Sequence, residues 1–195
     1  MQLLNLDAGI DFGAGGNLQE FSPVGFAPVP DKLSTWSQAP VAELSFRLPP
    51  MRSDLRFTAE VFPYLATGRI SRQDCWVFFN GLFVHFEPVS APLKMSFGVT
   101  REQVSPRVNR LSFVLPNAAS PKDMRLGDDV RMLGLAFVKL TAGDAKSIAG
   151  AGQPAGVAAL PPNPPAPPMP PAPAAGRIMP LRPTPAGGER PRRTD

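Results

Sequence analysis

One histidine, one cysteine, one tyrosine and two tryptophans are spread over 195 residues. A lone cysteine excludes an intramolecular disulfide, and Cys75, set in a hydrophobic run, reads as a buried thiol. With His85 as the only imidazole, zinc or copper coordination lacks its usual further His or Cys ligands. Ser–His or Cys–His catalysis would have to run through that same ring. Long apolar runs are also missing, since no window approaches the ~18 uninterrupted residues of a membrane span. Met1–Asp7 lacks the basic and apolar regions of a secretory signal. The expectation is a cytoplasmic protein, able to stand beside a membrane through a partner or its basic end.

Charge is scarce where a nucleic-acid binder would need it. The formal charge is +4, and most of it falls after Gly143, where Lys146, Arg177, Arg182, Arg190, Arg192 and Arg193 outnumber Asp144, Glu189 and Asp195. The high pI is therefore a property of the C-terminal stretch, and no nucleic-acid partner is expected. Proline, by contrast, is abundant at 26 residues, concentrated in runs such as Leu160–Pro171. Prolines there prevent sheet pairing and favour an extended polyproline II chain. Residues 143–195 read as a disordered proline-, alanine- and glycine-rich tail, either a spacer or a ligand for an aromatic-lined groove. Residues 1–142 are left to form the folded domain.

Helix signals are nearly absent as well. Ser120-Pro121-Lys122-Asp123 offers an N-cap and a proline at N1, but for only a turn or two. The Gly13–Asn17 loop is followed by prolines rather than a helix, so it reads as a turn and not as a phosphate cradle. What is present is alternation. Ala42–Leu48 turns Ala42, Leu44, Phe46 and Leu48 to one side, and Leu55–Phe62 does the same with Leu55, Phe57, Ala59 and Val61. Leu3–Leu6, Leu93–Phe97, Arg110–Leu115 and Arg131–Leu140 add further strand-like runs, the last with a bulge expected near its end. Short strands, Pro/Gly loops and almost no helix predict an all-β, antiparallel, jelly-roll-like β-sandwich.

The densest signal is Asp74–Glu87, where two β-prone runs meet at Asn80-Gly81, a type I′ hairpin turn. A two-residue loop pairs Phe79 with Leu82, Phe78 with Phe83, Val77 with Val84, Trp76 with His85 and Cys75 with Phe86. One face then carries Cys75, Val77, Phe79, Leu82, Val84 and Phe86, a plausible core. The other carries Trp76, Phe78, Phe83 and His85, which a plain solvent face would not. In this register Cys75 and His85 lie on opposite faces, which speaks against a catalytic dyad. Three uses of the aromatic face stay open: burial within the monomer, a patch for another protein or a second copy, and a sugar-stacking platform with His85 or Asn80 donating a hydrogen bond. Trp36, in a Pro-rich loop, is either a plug over one end of the core or a contact residue. Asp128-Asp129 read as turn charges and caps. Calcium would need further oxygens from Asp7, Asp11 or Asn17, and no metal, cofactor or catalytic residue is assigned.

Three segments carry a resemblance: Phe62-Pro63-Tyr64-Leu65 leading through Arg72-Gln73 to Val77–Gly81; Leu115–Pro121 with Leu126–Asp129 and Arg131–Ala136; and, more weakly, Gly25-Phe26 with Thr35-Trp36-Ser37. Over residues 5–141 the chain resembles a β-sandwich module fused to bacterial cell-envelope glycosyltransferases and phosphoglycerol-transferase-like enzymes. The resemblance implies a jelly-roll-like fold in an accessory role near glycan synthesis. The expected function is thus a non-catalytic interaction module in bacterial surface-polysaccharide synthesis or export, docking on a glycan-synthesising enzyme or on itself, with a carbohydrate-binding module as the alternative and a glycan-acting enzyme behind both.

Overall fold

The computed structural model describes residues 1–145, so the expected tail lies, from residue 146 onward, outside the described residues. Strands β1 (Ile10–Asp11), β2 (Thr35–Trp36), β4 (Leu55–Pro63), β7 (Leu93–Val99) and β9 (Leu135–Asp144) form one antiparallel sheet, ordered β1-β9-β4-β7 with β2 also on β9. The second sheet is β3 (Val41–Phe46), β8 (Asn109–Val114), β5 (Gln73–Phe79) and β6 (Leu82–Val89), in the order β3-β8-β5-β6. Consecutive strands cross repeatedly between the two layers, as in the expected sandwich. Strand β9 runs to Asp144, which pairs with Leu55, two residues past the expected edge of the domain at 142.

Alternation places the side chains as expected. Ala42, Leu44 and Phe46 on β3, Leu55, Phe57, Ala59 and Val61 on β4, and Cys75, Val77 and Phe79 on β5 are all fully buried. Phenylalanines join the layers. The Phe113 ring on β8 meets Phe137 on β9 at 4.7 Å between centroids, and Phe57 on β4 meets Phe79 on β5 at 5.9 Å. Each such ring withdrawn from water stabilises the fold by roughly 1.5–3 kcal/mol. The bulge expected near the end of the last strand falls at Val138, because Glu60 pairs with Lys139 while Val61 pairs with Phe137.

Local chemistry explains where other expectations gave way. Leu3–Leu6 makes only an isolated bridge, Leu3 to Arg47, because Asn5 Oδ1 accepts the Asp7 and Ala8 N–H groups at 2.9 and 3.0 Å and turns the chain away. The Gly13–Asn17 loop is the turn expected of it, with Asn17 accepting from Asp11 N–H and donating to Gly9 O. At Ser120, Oγ accepts from the Lys122 and Asp123 amides and Met124 N–H reaches Ser120 O. The turn goes no further, as Arg125 takes a φ of 55°.

The Asn80-Gly81 turn has the positive φ values of 51° and 82° that a type I′ turn requires. It is also bolted to the domain. Asn80 Nδ2 donates to Gln103 O at 2.8 Å and to Asn109 Oδ1 at 2.9 Å, while Asn80 Oδ1 accepts from Arg110 N–H at 2.8 Å. Asn109 is fully buried and accepts from Ser105 N–H as well. Asn80→Ala leaves buried partners unpaired and loses a residue suited to positive φ, so equilibrium denaturation should show a loss of about 2–4 kcal/mol. Phe113→Ala, which empties the contact between layers, should cost about 3–5 kcal/mol in the same assay.

Candidate functional site

The hairpin keeps its expected register only next to the turn. Phe79 pairs with Leu82 and Phe78 with Phe83, but Val77 pairs with His85, Trp76 with Phe86 and Cys75 with Glu87. Val84 is left without a partner, a bulge that inverts the remainder of β6. This corrects the expected aromatic face. His85 leaves it and Phe86 joins it, so Trp76, Phe78, Phe83 and Phe86 share the outer side of the second sheet.

These four rings form one cluster. Trp76 stands 4.8 Å from Phe86 and 5.7 Å from Phe83, and Phe83 is 5.9 Å from Phe78, centroid to centroid. Phe83 is 47% exposed and its neighbour Leu82 52%. Trp76, Phe78 and Phe86 are half-buried, Trp76 against Phe86 and Phe78 against Phe83. Among the described residues no strand pairs over this outer side; Phe83 meets solvent, and the other three rings do so only in part.

The ladder fixes what stands beside the rings. Trp76 lies across from Val114, which lies across from Val41; Phe78 lies across from Ser112, which lies across from Glu43. Asn80 exchanges hydrogen bonds with Arg110, itself opposite Ser45. Rows along a strand repeat every two residues, about 6.7 Å. The sheet therefore grades from an aromatic half on β5 and β6 to a polar edge on β8 and β3, where Ser112 Oγ donates to Glu43 Oε1 at 2.6 Å. Glu43, Ser112 and Arg110 are site residues that sequence reasoning missed. Their outward positions are legible in the alternation of β3 and β8, but not which strands lie beside β5.

The outer side of the first sheet makes the contrast. Thr58 and Ser96 share a hydrogen bond of 2.9 Å, Lys94 pairs with Glu60 at 3.4 Å, and Lys139, Thr141 and Arg56 complete a polar surface. Trp36 belongs to this sheet, at one end, in a row with Ala136 and the 41%-exposed Phe62. Its ring meets Tyr64 edge-on at 6.2 Å. The structure thus places Trp36 on the opposite sheet from Trp76. Asn80 does stand beside the aromatic face, yet both its amide hydrogens are held by the scaffold.

His85, turned to the inner side, stacks on Phe97 of β7 at 6.1 Å, and its Nε2 lies 3.2 Å from Glu87 Oε2. It closes the open margin between β6 and the first sheet. The bulge brings Cys75 and His85 to the same face, which overturns the argument from register against their acting together. Cys75 is nevertheless fully buried. Burial, with the Glu87 carboxylate as a lesser cause, pushes its thiol far above the ordinary thiol range and holds it protonated. Cys75 should resist thiol-specific reagents at pH 8 in the folded protein and react stoichiometrically once denaturant unfolds it, as titration with a chromogenic disulfide will show.

Of the adjacent carboxylates, Asp129 is structural. It takes a two-pronged ion pair from Arg131 at 2.6–3.0 Å, its backbone oxygen accepts from Ser120 Oγ, and hydrogen bonds from Arg131 hold it below the usual carboxylate range. A lowered folded-state value means stability that is present above the unfolded value of about 3.9 and lost as pH falls through the folded one. Arg131→Gln should therefore lower the melting temperature at neutral pH, with the gap to the wild type closing in acid below that value. Asp11 and Asn17, considered as calcium ligands, are engaged in turns, Asp11 Oδ1 accepting from Gly13 N–H and Asn17 bridging Gly9 and Asp11.

No family model and no curated protein matches the chain. Solved structures that align with the chain include the EclA C-terminal domain, a sugar-binding protein, at 9% identity and a TM-score of 0.35, covering 51% of this chain and 65% of that one. A family 35 carbohydrate-binding module from an environmental isolate aligns at 9% identity and a TM-score of 0.36, covering 70% and 82%. A β-glucosidase from Paenibacillus barengoltzii aligns at 10% identity and 0.28, over 54% of this chain and 10% of that one. The chain thus spans just under two thirds of the first of these proteins and a tenth of the last. Nothing in them ties the chain to glycosyltransferase-fused modules, and at these scores the likenesses bear on no activity.

Proposed function

We propose that this chain is a non-catalytic glycan-binding module, with the outer side of the second sheet as its binding face. The supporting observation is the juxtaposition on one sheet of an exposed Phe83, its half-buried aromatic neighbours and a hydrogen-bonding edge. A pyranose has an apolar C–H face and an equatorial fringe of hydroxyls. Trp76 and Phe83 offer the first a ring to stack on, while Glu43, braced by the buried Ser112, and the exposed Arg110 offer the second an acceptor and donors. Glu43 uses one carboxylate oxygen on Ser112 and keeps lone pairs for an incoming hydroxyl. Because the flanking strands are hydrogen-bonded and the turn is bolted at Asn80, binding would order little else.

A second reading, docking on a protein in surface-polysaccharide assembly, draws on a different observation. The rings are tilted by 54° to 69° against one another, which makes a knobbed surface rather than a flat one. Titration with oligosaccharides, followed by tryptophan fluorescence and calorimetry, separates the two. On the glycan reading, Trp76→Ala or Phe83→Ala weakens binding at least tenfold while the circular dichroism stays that of the wild type, and Trp36→Ala has little effect. Silence across a broad glycan array, together with a Phe83-dependent complex with a synthase component, would transfer the face to the protein reading.

A further inference from the structure

A cavity of about 280 Å³ opens where the loop after β3 meets the segment after β7. Its walls include Met51, Val104 and Pro106, and two guanidinium-bearing residues, Arg47 and Arg101, line it with no carboxylate among the lining residues. Among the described residues the Arg101 guanidinium comes within ion-pair distance only of its chain neighbour Glu102, at 3.8 Å with both side chains mostly exposed, a pairing worth little. Arg47 makes no ion pair among the described residues.

The walls are built rather than loose. Gln103 Oε1 accepts from Thr100 N–H at 2.8 Å, Gln103 O accepts from Asn80, and Ser105 N–H donates to the buried Asn109 at 2.7 Å. Asp54 Oδ1 accepts from Arg101 N–H at 3.0 Å, which ties the two segments together from outside the lining. Two guanidinium-bearing residues lining a recess with partly apolar walls favour an anion there even with the Asp54 and Glu102 carboxylates near Arg101, and a guanidinium fork suits a carboxylate or phosphate.

The cavity is also continuous in sequence with the binding face. Val41, Glu43 and Ser45 point outward along β3, and Arg47 follows in the same alternation, about 13 Å beyond Glu43. We infer that the glycan is anionic: a saccharide lying across the aromatic rings and the Glu43–Ser112 pair delivers a carboxylate or phosphate substituent to Arg47 and Arg101. This inference rests on the glycan reading and adds the class of ligand.

The test uses the full chain with trigalacturonate, cellotriose and glucose 6-phosphate at low ionic strength. Trigalacturonate or glucose 6-phosphate should shift the side-chain Nε–H resonances of Arg47 and Arg101 in the wild-type protein, and cellotriose should not. Which acidic probe does so identifies the group. Trigalacturonate should bind at least tenfold more tightly than cellotriose, with that ratio collapsing in Arg47→Gln and in moderate salt. Trp76→Ala should weaken both trisaccharides and leave the ratio intact. Equal affinity for the two trisaccharides with no shift by glucose 6-phosphate, or a ratio or shift unmoved by Arg47→Gln, overturns the anion site while leaving glycan binding in place. No binding of any probe overturns both.

Discussion

Alternation along a strand holds only while every residue has a partner, and in β6 one residue does not. Val84 stands unpaired in the ladder, and from that point His85 turns toward the core margin while Phe86 turns outward against Trp76. The composition of the outer face follows from this one bulge. So does the closure of the sandwich margin, where His85 lies on Phe97 and meets Glu87. The type I′ turn at Asn80-Gly81 sets where the ladder starts, and its bonds to Gln103, Asn109 and Arg110 keep it from slipping.

The two outer sides of the sandwich then divide the labour. The first sheet meets water mainly with threonine, serine and paired charges, which is what an antiparallel sheet shows when its outer side has no further task. The second exposes aromatic surface that has a hydrophobic cost in the free protein and no compensating partner among the described residues. That cost is tolerable because the interior is already well supplied: fully buried phenylalanines from both sheets meet across the middle. The inner side is thus what stabilises the fold.

Recognition on such a face would use binding energy in two ways. Ring stacking gives contact without demanding precise direction, and the Glu43–Ser112 edge supplies direction. The arginine-lined cavity beyond Ser45 adds charge at a distance from the rings. A face arranged in this order would hold a chain in one polarity.

Much of this was legible in the amino acids. The alternating runs located β3, β4, β7, β8 and the body of β9, the Asn-Gly pair located the hairpin turn, and the expected bulge in the last strand falls at Val138. Trp76, Phe78 and Phe83 were correctly placed on one face because they lie close to the turn or on the unbulged strand. The Val84 bulge was not legible, since the straight register gives Leu82, Val84 and Phe86 a perfectly apolar side and nothing local speaks against it. What favours the bulge comes from elsewhere in the fold: the Phe97 ring from β7 for His85 and the indole of Trp76 for Phe86. Likewise, Glu43 and Arg110 are separated from Trp76 by more than thirty residues and meet it only because β8 inserts between β3 and β5. The sequence by itself determined the strands, their inner faces and the turn, because periodicity and backbone preference are local. Only the tertiary structure decided which rings face water and which polar groups stand beside them, because strand order and the bulge are set by long-range packing.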